Sequence, residues 1–310
     1  MDNPSLETLF ERRLDFPDAA ARQVYDNLIG LDAAKAVLTA QLSICFDLTS
    51  LSRWWERYHG LDYALLAHVL HRPNLVILFG DVGTGKTALA ESVGDVLARR
   101  HRIPVTLFPM SLGARGSGRV GQMTSLIASA FDVVVAEAER TVSPEEKPKA
   151  GFLLLVDEAD ALAQSRQLDQ MHHEDRAGVN AFIRGVDHVT RAGVPVGILL
   201  CTNRLSSLDP AVRRRAASLI EFTRPTEKQR HEALRVLGTA GLKESQIAEL
   251  ARITGPRDRT YGFTYSDIFQ RLIPQIVLDA YPRSPVTFDR AQIVASTIQP
   301  TPPITGVAQS

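Results

Sequence analysis

Short apolar runs alternate with longer segments of helical periodicity between residues 74 and 222. The apolar runs, which are predicted to form strands, cover residues 74–79, 103–108, 152–156, 196–201 and 219–222. A chain that alternates strands and helices forms a parallel sheet, because each crossover between parallel strands needs a helix-length connection. The pattern therefore predicts an α/β fold: a parallel five-stranded sheet flanked by helices.

The pattern changes after Arg224-Pro225-Thr226, where only helical periodicity follows. Four helices are predicted there, over residues 226–238, 244–254, 264–280 and 287–297. They indicate a second, smaller and all-helical domain. The predicted organisation is a short N-terminal extension (1–22), a large α/β domain (23–224), a helical lid domain (225–298) and a proline-containing flexible tail (299–310).

Composition limits the function classes that remain. The chain has 310 residues, of which 45% are apolar, and 35 basic residues balance 35 acidic ones. Without a net charge, no overall field attracts nucleic acid or an anionic membrane. No apolar run approaches the roughly eighteen residues of a membrane span, and Cys45 and Cys201 lie in apolar segments without metal-ligand spacing. We therefore expect a cytoplasmic protein with reduced core cysteines, no membrane partner and no nucleic-acid partner.

The run from Gly80 to Thr87 carries the strongest chemical signal. It reads glycine, four residues, then Gly-Lys-Thr, and it lies between a predicted buried strand and a predicted helix. In such a loop the backbone N–H groups point at phosphates, the lysine reaches the β and γ phosphates, and the hydroxyl residue ligates Mg²⁺. The residues predicted to bind the nucleotide are Asp81, Val82, Gly83, Thr84, Gly85, Lys86 and Thr87.

Two carboxylates follow the third apolar run. Asp157 and Glu158 come directly after residues 152–156, and ligands collect at the carboxyl ends of strands in open α/β sheets. We expect Asp157 to hold Mg²⁺ through its water shell beside Thr87, and Glu158 to orient and polarise the attacking water. An acidic turn at a strand end without a catalytic role is the alternative.

Polar residues also follow the fourth apolar run. Asn203 comes after Cys201-Thr202, and an amide there can hydrogen-bond both the γ phosphate and the lytic water. The alternative for Asn203 is a residue that only forms a turn.

Three consecutive arginines, 213–215, follow a short predicted helix. Like charges this close repel, so an anion is expected nearby. Arg214 and Arg215 are predicted to reach the γ phosphate of a neighbouring subunit and stabilise transition-state charge, which requires a ring or filament. A solvated basic turn is the alternative.

These motifs, in this order and followed by a helical domain, resemble those of AAA+ ATPases over about residues 24–298. Residues 25–32 are similar to the opening segment of that family, whose backbone contacts adenine. The resemblance implies that Ile29 and Gly30 contact the base, that ATP and Mg²⁺ are the cofactors, and that the reaction is hydrolysis of ATP to ADP and phosphate.

The segment 208–215 is similar to the arginine-finger segment of members that remodel proteins, and segments 118–123 and 174–189 look most like the pachytene-checkpoint ATPases. The resemblance implies a homo-oligomer, a hexameric ring, that opens or disassembles a HORMA-domain partner. It further implies a bacterial version that switches off anti-phage cyclic-oligonucleotide signalling.

A nucleotide-switched assembly or binding module, such as a DNA-associated AAA+ factor, is the competing hypothesis. Glu158 argues against a module that cannot hydrolyse ATP. The balanced charge and the lack of a recognisable DNA-reading motif argue against nucleic acid.

The predicted pore loops depart from the family pattern. The first, within residues 110–118, has no aromatic residue, so Leu112 and Arg115 are the candidates for contacting a substrate polypeptide. His172 and His173 fall in the second. A surface loop without a special role is the alternative for these histidines. A metal site is not expected, because the sequence offers no third ligand at a suitable spacing.

Two further departures concern the ends of the resemblance. Only residues 1–22 precede the ATPase region, whereas eukaryotic relatives carry an N-terminal domain, so the substrate is expected to engage the ring directly. The second sensor arginine of the family would fall near residues 264–268, which contain none. Arg257, Arg259 and Arg271 are possible substitutes, and none of them is assigned.

Overall fold

The computed structural model describes residues 9–70, 72–111, 122–143, 147–162, 173–256 and 261–304. The chain divides into two compact units. Unit 1 takes residues 1–26, 33–79 and 87–221, and unit 2 takes residues 27–32, 80–86 and 222–310. The predicted phosphate loop is therefore grouped with the helical part of the chain.

A six-stranded sheet is the centre of the α/β fold. Its strands are β1 (Leu14–Phe16), β2 (Leu75–Gly80), β3 (Val105–Ser111), β4 (Gly151–Asp157), β5 (Val196–Thr202) and β6 (Ala216–Phe222). The order across the sheet is β1-β3-β4-β5-β2-β6. Strand β4 pairs in parallel with β3 and β5, and β5 pairs in parallel with β2. The predicted α/β class is confirmed, and all five predicted strands are present.

The sixth strand, β1, was not predicted, and it corrects the five-stranded sheet expected from the sequence. It lies antiparallel to β3, with Leu14 opposite Leu107 and Phe16 opposite Val105. The hydroxyl of Thr106 donates to the carboxylate of Asp15 at 2.7 Å. Three residues are too few to show a period-two pattern, so the strand is defined by its pairing with β3 and not by its own sequence.

The central strands are buried on both sides. Every residue of β5 is buried, as are the first six of β4, which fits near-continuous apolar runs in a parallel sheet. The helices Gln122–Glu139 and His173–Ala192 pack on this core, where the rings of Phe131 and Phe182 meet edge to face at 5.6 Å. A Cβ at Gly185 would lie 2.2 Å from the Phe131 ring, so only glycine fits there.

The other helices of unit 1 have lengths typical of globular proteins. They are Ala19–Asn27, Asp32–Phe46, Leu48–His59, Ala64–Leu70, Lys86–His101 and the single turn Pro210–Arg213. None of the helices in the described ranges is long and apolar enough to cross a membrane.

Unit 2 is helical beyond β6, as predicted. Its helices are Glu227–Leu234, Glu244–Ile253, Ile273–Ala280 and Phe288–Thr297. The predicted helix 264–280 is not continuous, because a π-helical turn, Asp267–Leu272, precedes Ile273. Pro274 has no N–H to donate and its ring crowds the preceding turn, which accounts for the widened turn at this place.

The segment after the last helix is held to unit 2 at Thr301. Thr301 donates through its N–H (3.1 Å) and its hydroxyl (2.7 Å) to the fully buried carboxylate of Asp267. Burial alone would raise the pKa of Asp267, but its hydrogen bonds with Thr264 and Thr301 outweigh burial and hold that pKa below its usual value. Flexibility of the tail stays a prediction, and residues 305–310 lie outside the described part of the chain.

Both cysteines are buried and in the reduced form, as predicted. Burial raises the pKa of Cys45 to about 12. Cys201 lies within the fully buried strand β5. Neither thiol is positioned to form a disulfide or to react with solvent.

Candidate nucleotide site

The phosphate loop closes around the ammonium group of Lys86. Lys86 is 7% exposed, and its Nζ donates to the carbonyl oxygens of Gly80 (2.9 Å) and Asp81 (2.8 Å). The hydroxyl of the buried Thr84 also donates to the Asp81 carbonyl, at 2.7 Å. Gly83 and Gly85 have φ values of +73° and +98°, a region that L side chains rarely adopt. The sequence therefore forms the loop locally, with glycines at its left-handed positions.

The predicted adenine segment lies against this loop within unit 2. A Cβ on Gly85 would be 3.2 Å from the Leu31 side chain. The amide of Gln229 donates to the carbonyl of Gly30 at 3.2 Å, and Ile29 packs on the helical core. The structure therefore brings together two segments, 27–32 and 80–86, that the sequence assigned to base and phosphates.

Thr87 and Asp157 are hydrogen-bonded within unit 1. The Thr87 hydroxyl donates to Asp157 Oδ2 at 2.9 Å, and Asp157 Oδ1 accepts the Glu158 N–H at 2.8 Å. Glu158 is exposed, and its φ is +52°, an uncommon value for a residue other than glycine. Strain of this kind is typical of functional turns, and here it accompanies an exposed carboxylate at the end of β4.

Asp160 is a functional candidate that the sequence analysis missed. Its carboxylate accepts hydrogen bonds from the Thr202 hydroxyl (2.6 Å) and from the side-chain amide of Asn203 (3.3 Å). The sequence did contain a signal for Asp160. It is the fourth residue of the run Asp-Glu-Ala-Asp, 157–160, and so a third carboxylate lies within one turn of the end of β4. Asp160 links the turn after β4 to the turn after β5 and orients Asn203.

The two candidate arginine fingers differ in their environment. Arg215 forms a bidentate pair with Asp187, with Nε to Oδ1 at 2.7 Å and Nη2 to Oδ2 at 3.0 Å. The hydrogen bond to Asp187 raises the pKa of Arg215. Arg214, one residue earlier, is exposed. Arg214 therefore faces solvent, whereas Arg215 is bound within its own subunit.

The remaining candidates cannot be placed as substrate contacts. Leu112, Arg115 and His172 lie outside the described residues, as does the side chain of His173, whose backbone begins the helix His173–Ala192.

The possible second sensor arginines are similarly limited. Arg257 and Arg259 lie outside the described ranges, and Arg271 donates to Asp267 at 2.9 Å.

Among the residues that the structure describes, no group of three or more histidine, cysteine or acidic side chains could hold a metal ion.

Comparison with known proteins identifies the family. Residues 76–224 match the model of the ATPase family associated with various cellular activities (AAA). The chain is 50% identical over 301 residues to CD-NTase-associated protein 6 of Escherichia coli strain MS 115-1, covering 96% of this chain and 97% of that protein.

Solved structures agree with this relationship. A chain of the E. coli MS115-1 HORMA:CdnC:Trip13 complex superposes with a TM-score of 0.91 and 48% identity, over 98% of this chain and 100% of that one. Trip13 from Rhizobiales gives a TM-score of 0.73 and 42% identity, over 95% of this chain and 100% of that one. The protein belongs to the AAA ATPases, in the bacterial Trip13-like group that its resemblance to pachytene-checkpoint ATPases predicted.

Proposed function

We propose that the protein is an ATP-hydrolysing remodeler that assembles as a hexameric ring and opens or disassembles a HORMA-domain partner. Its cellular role is to switch off bacterial anti-phage cyclic-oligonucleotide signalling, in the cytoplasm. The observation that carries this proposal is identity at half the positions, along 96% of the chain, with a CD-NTase-associated protein. The match to a chain solved in a complex with HORMA and CdnC proteins supports the class of partner.

The donor set at the end of β4 fits Mg²⁺. Thr87 and Asp157 supply hard oxygen donors, which this ion prefers. Thr87 Oγ1 and Asp157 Oδ2 lie 2.9 Å apart. When bound, Mg²⁺ neutralises charge that develops on the β and γ phosphates of ATP. The Thr87 hydroxyl would ligate the ion, and Asp157 would hold it through its water shell.

The other residues divide the work of hydrolysis. Lys86 leaves its two loop carbonyls to bind the β and γ phosphates. Glu158, exposed at the turn, accepts a hydrogen bond from the attacking water and increases its nucleophilicity. Asn203, held by Asp160, bonds the γ phosphate and the same water. Arg214 and Arg215 act on the γ phosphate of the adjacent subunit.

Asp160→Ala should lower kcat for ATP hydrolysis by about 10- to 100-fold, because a misplaced Asn203 no longer orients the water. The KM for ATP should rise by a smaller factor than kcat falls, since Asn203 supplies only one of the proposed contacts to the γ phosphate. Steady-state hydrolysis measures both quantities. Asp289→Ala, at an exposed helix position, is the matched control and should behave as wild type. An unchanged kcat in Asp160→Ala would show that Asn203 needs no such support.

The proposed substrate contacts are the pore loops, Leu112 and Arg115 in the first and His172 and His173 in the second. Because this part of the first loop lacks an aromatic side chain, grip on a polypeptide has to come from Leu112 and from the long Arg115 side chain.

The decisive experiment measures ATP hydrolysis with and without a HORMA-domain protein encoded in the same genome. Amide hydrogen exchange follows the closed-to-open conversion of that partner. We expect the partner to raise turnover and to open, with both effects lost in Glu158→Gln. Nucleotide-dependent assembly that leaves the partner closed would favour a nucleotide-switched module. Salt-sensitive DNA binding would point to a DNA-associated factor.

A further inference from the structure

Arg224 connects three separate segments of unit 2. It follows β6, and its Nε donates to the carboxylate of Asp81 at 2.6 Å. Its Nη1 donates to the carbonyl of Gly262 at 2.6 Å, and its Nη2 donates to the carbonyl of Thr301 at 2.8 Å. The guanidinium also lies 5.0 Å from the ring centre of Tyr261. Arg224 is therefore held from several directions in one orientation.

Asp81 places a negative charge in the loop that the sequence assigns to phosphate binding. Its side chain is 13% exposed and that of Arg224 is 15% exposed, so water screens this pair less than a surface pair. The Asp81 Oδ1 also accepts the Val82 N–H at 3.0 Å. A carboxylate fixed in this position opposes the approach of polyphosphate unless a cation balances it.

Arg224 is also anchored by residues outside the loop, through the carbonyls of Gly262 and Thr301. Thr301 is fixed by the hydrogen bonds that its N–H and its hydroxyl donate to the buried Asp267. The loop is itself joined to the same region, because the Ser266 N–H donates to the Gly83 carbonyl at 3.1 Å. Arg224 is thus oriented by protein groups alone, and such preorganisation lowers the cost of ordering a loop on binding.

We propose that Arg224 is a positioning residue for nucleotide binding, which neutralises Asp81 and holds the phosphate loop so that it accepts polyphosphate. The proposal rests on ATP being the ligand of this loop. It adds the Arg224–Asp81 pair to the residues on which ATP binding depends. It predicts that affinity for ATP follows the net charge of the pair. If the pair had a purely structural role, loss of either Arg224 or Asp81 would weaken ATP binding.

Three variants distinguish these alternatives: Arg224→Met, Asp81→Asn and the double variant. The measurement is the equilibrium affinity for fluorescent ATP and ADP analogues with Mg²⁺, at low and high NaCl. Arg224→Met should bind ATP about tenfold more weakly than wild type, with a smaller loss for ADP, which carries less charge. Asp81→Asn should bind ATP more tightly than wild type, and the double variant should recover most of the loss.

High salt should shrink all of these differences. Equal weakening in both single variants, or a double variant as weak as Arg224→Met, would overturn the proposal. If Arg224→Met does not fold by circular dichroism, Arg224→Lys tests the same point. That variant keeps the charge beside Asp81 but loses the planar fork of donors, so its loss of ATP affinity should stay below tenfold, whereas a loss of tenfold or more would count against neutralisation.

Arg252→Met is the matched control, because Arg252 is half-exposed and forms its ion pair with Glu249, three positions earlier on the same helix. Its nucleotide affinity should equal that of wild type. The readout is nucleotide binding and not the opening of a partner, so the proposed remodeling function can fail while this inference holds. Wild-type protein that binds no adenine nucleotide would overturn both.

Discussion

Glu158→Gln should lower kcat for ATP hydrolysis by about 10²- to 10⁴-fold, the usual contribution of a positioned general base. Glutamine keeps the size and the hydrogen-bonding reach of the side chain but cannot accept the water proton. Affinity for ATP should be retained, because Glu158 is not assigned to the phosphates. The expected result is a protein that binds ATP, assembles and holds its partner without turnover.

Single-turnover hydrolysis and equilibrium ATP binding, measured on the same preparation, separate these two effects. Glu91→Gln is a matched control, since Glu91 lines the same cleft of unit 1 as Glu158 and pairs with Arg12. It should hydrolyse ATP at the wild-type rate. If Glu158→Gln retained turnover, Glu158 would be removed from the mechanism, and the strain at its φ of +52° would need another explanation.

Arg214→Ala should lower kcat for ATP hydrolysis by about 10³-fold or more. In the proposed mechanism, the substitution removes a cation that stabilises the transition state at the site of the neighbouring subunit. The exposed position of Arg214 leaves it available to another subunit. The loss should be complemented in trans. A mixture of Arg214→Ala and Glu158→Gln subunits, each inactive alone, should regain activity where an intact Arg214 meets an intact Glu158.

Activity that rises on mixing and then falls on dilution below the assembly concentration would support the arrangement in trans. A mixture as inactive as its components would contradict it. Arg191→Ala is the matched control, since its Nε donates to the Asp187 carbonyl on an exposed helix surface. The pairing of Arg215 with Asp187 adds a distinction: Arg215 must first leave Asp187 to act in trans, whereas Arg214 has no such ion pair with any residue that the structure describes.

The parts of this protein that were predictable from sequence are those that a local pattern specifies. The strands β2 to β6 are apolar runs, and the loop from Gly80 to Thr87 carries its glycines at the positions where the backbone needs them. Three helices of unit 2 begin close to the predicted residues, at Glu227, Glu244 and Phe288, and Thr226 caps the first of them. The predicted helix 264–280 was wrong in its continuity, because the π-helical turn Asp267–Leu272 divides it.

The contacts that the sequence did not reveal join residues far apart in the chain. Asp160 and Asn203 are 43 positions apart, and Arg224 and Asp81 are 143 apart. Each residue alone is an ordinary polar side chain near a turn, and only the fold makes the pair. Similarly, β1 is a strand because it pairs with the free edge of β3, and a segment of three residues is too short for its sequence to predict that pairing.

The burial of both cysteines has a practical consequence for counting subunits. A thiol whose pKa is raised to about 12, as for Cys45, has almost no thiolate at neutral pH and reacts poorly with maleimide dyes. Cys201 is shielded within β5. A cysteine introduced at the 80% exposed Leu61 would therefore take one dye per chain without removal of the native thiols. Photobleaching steps in single assemblies would then report directly how many copies each assembly contains.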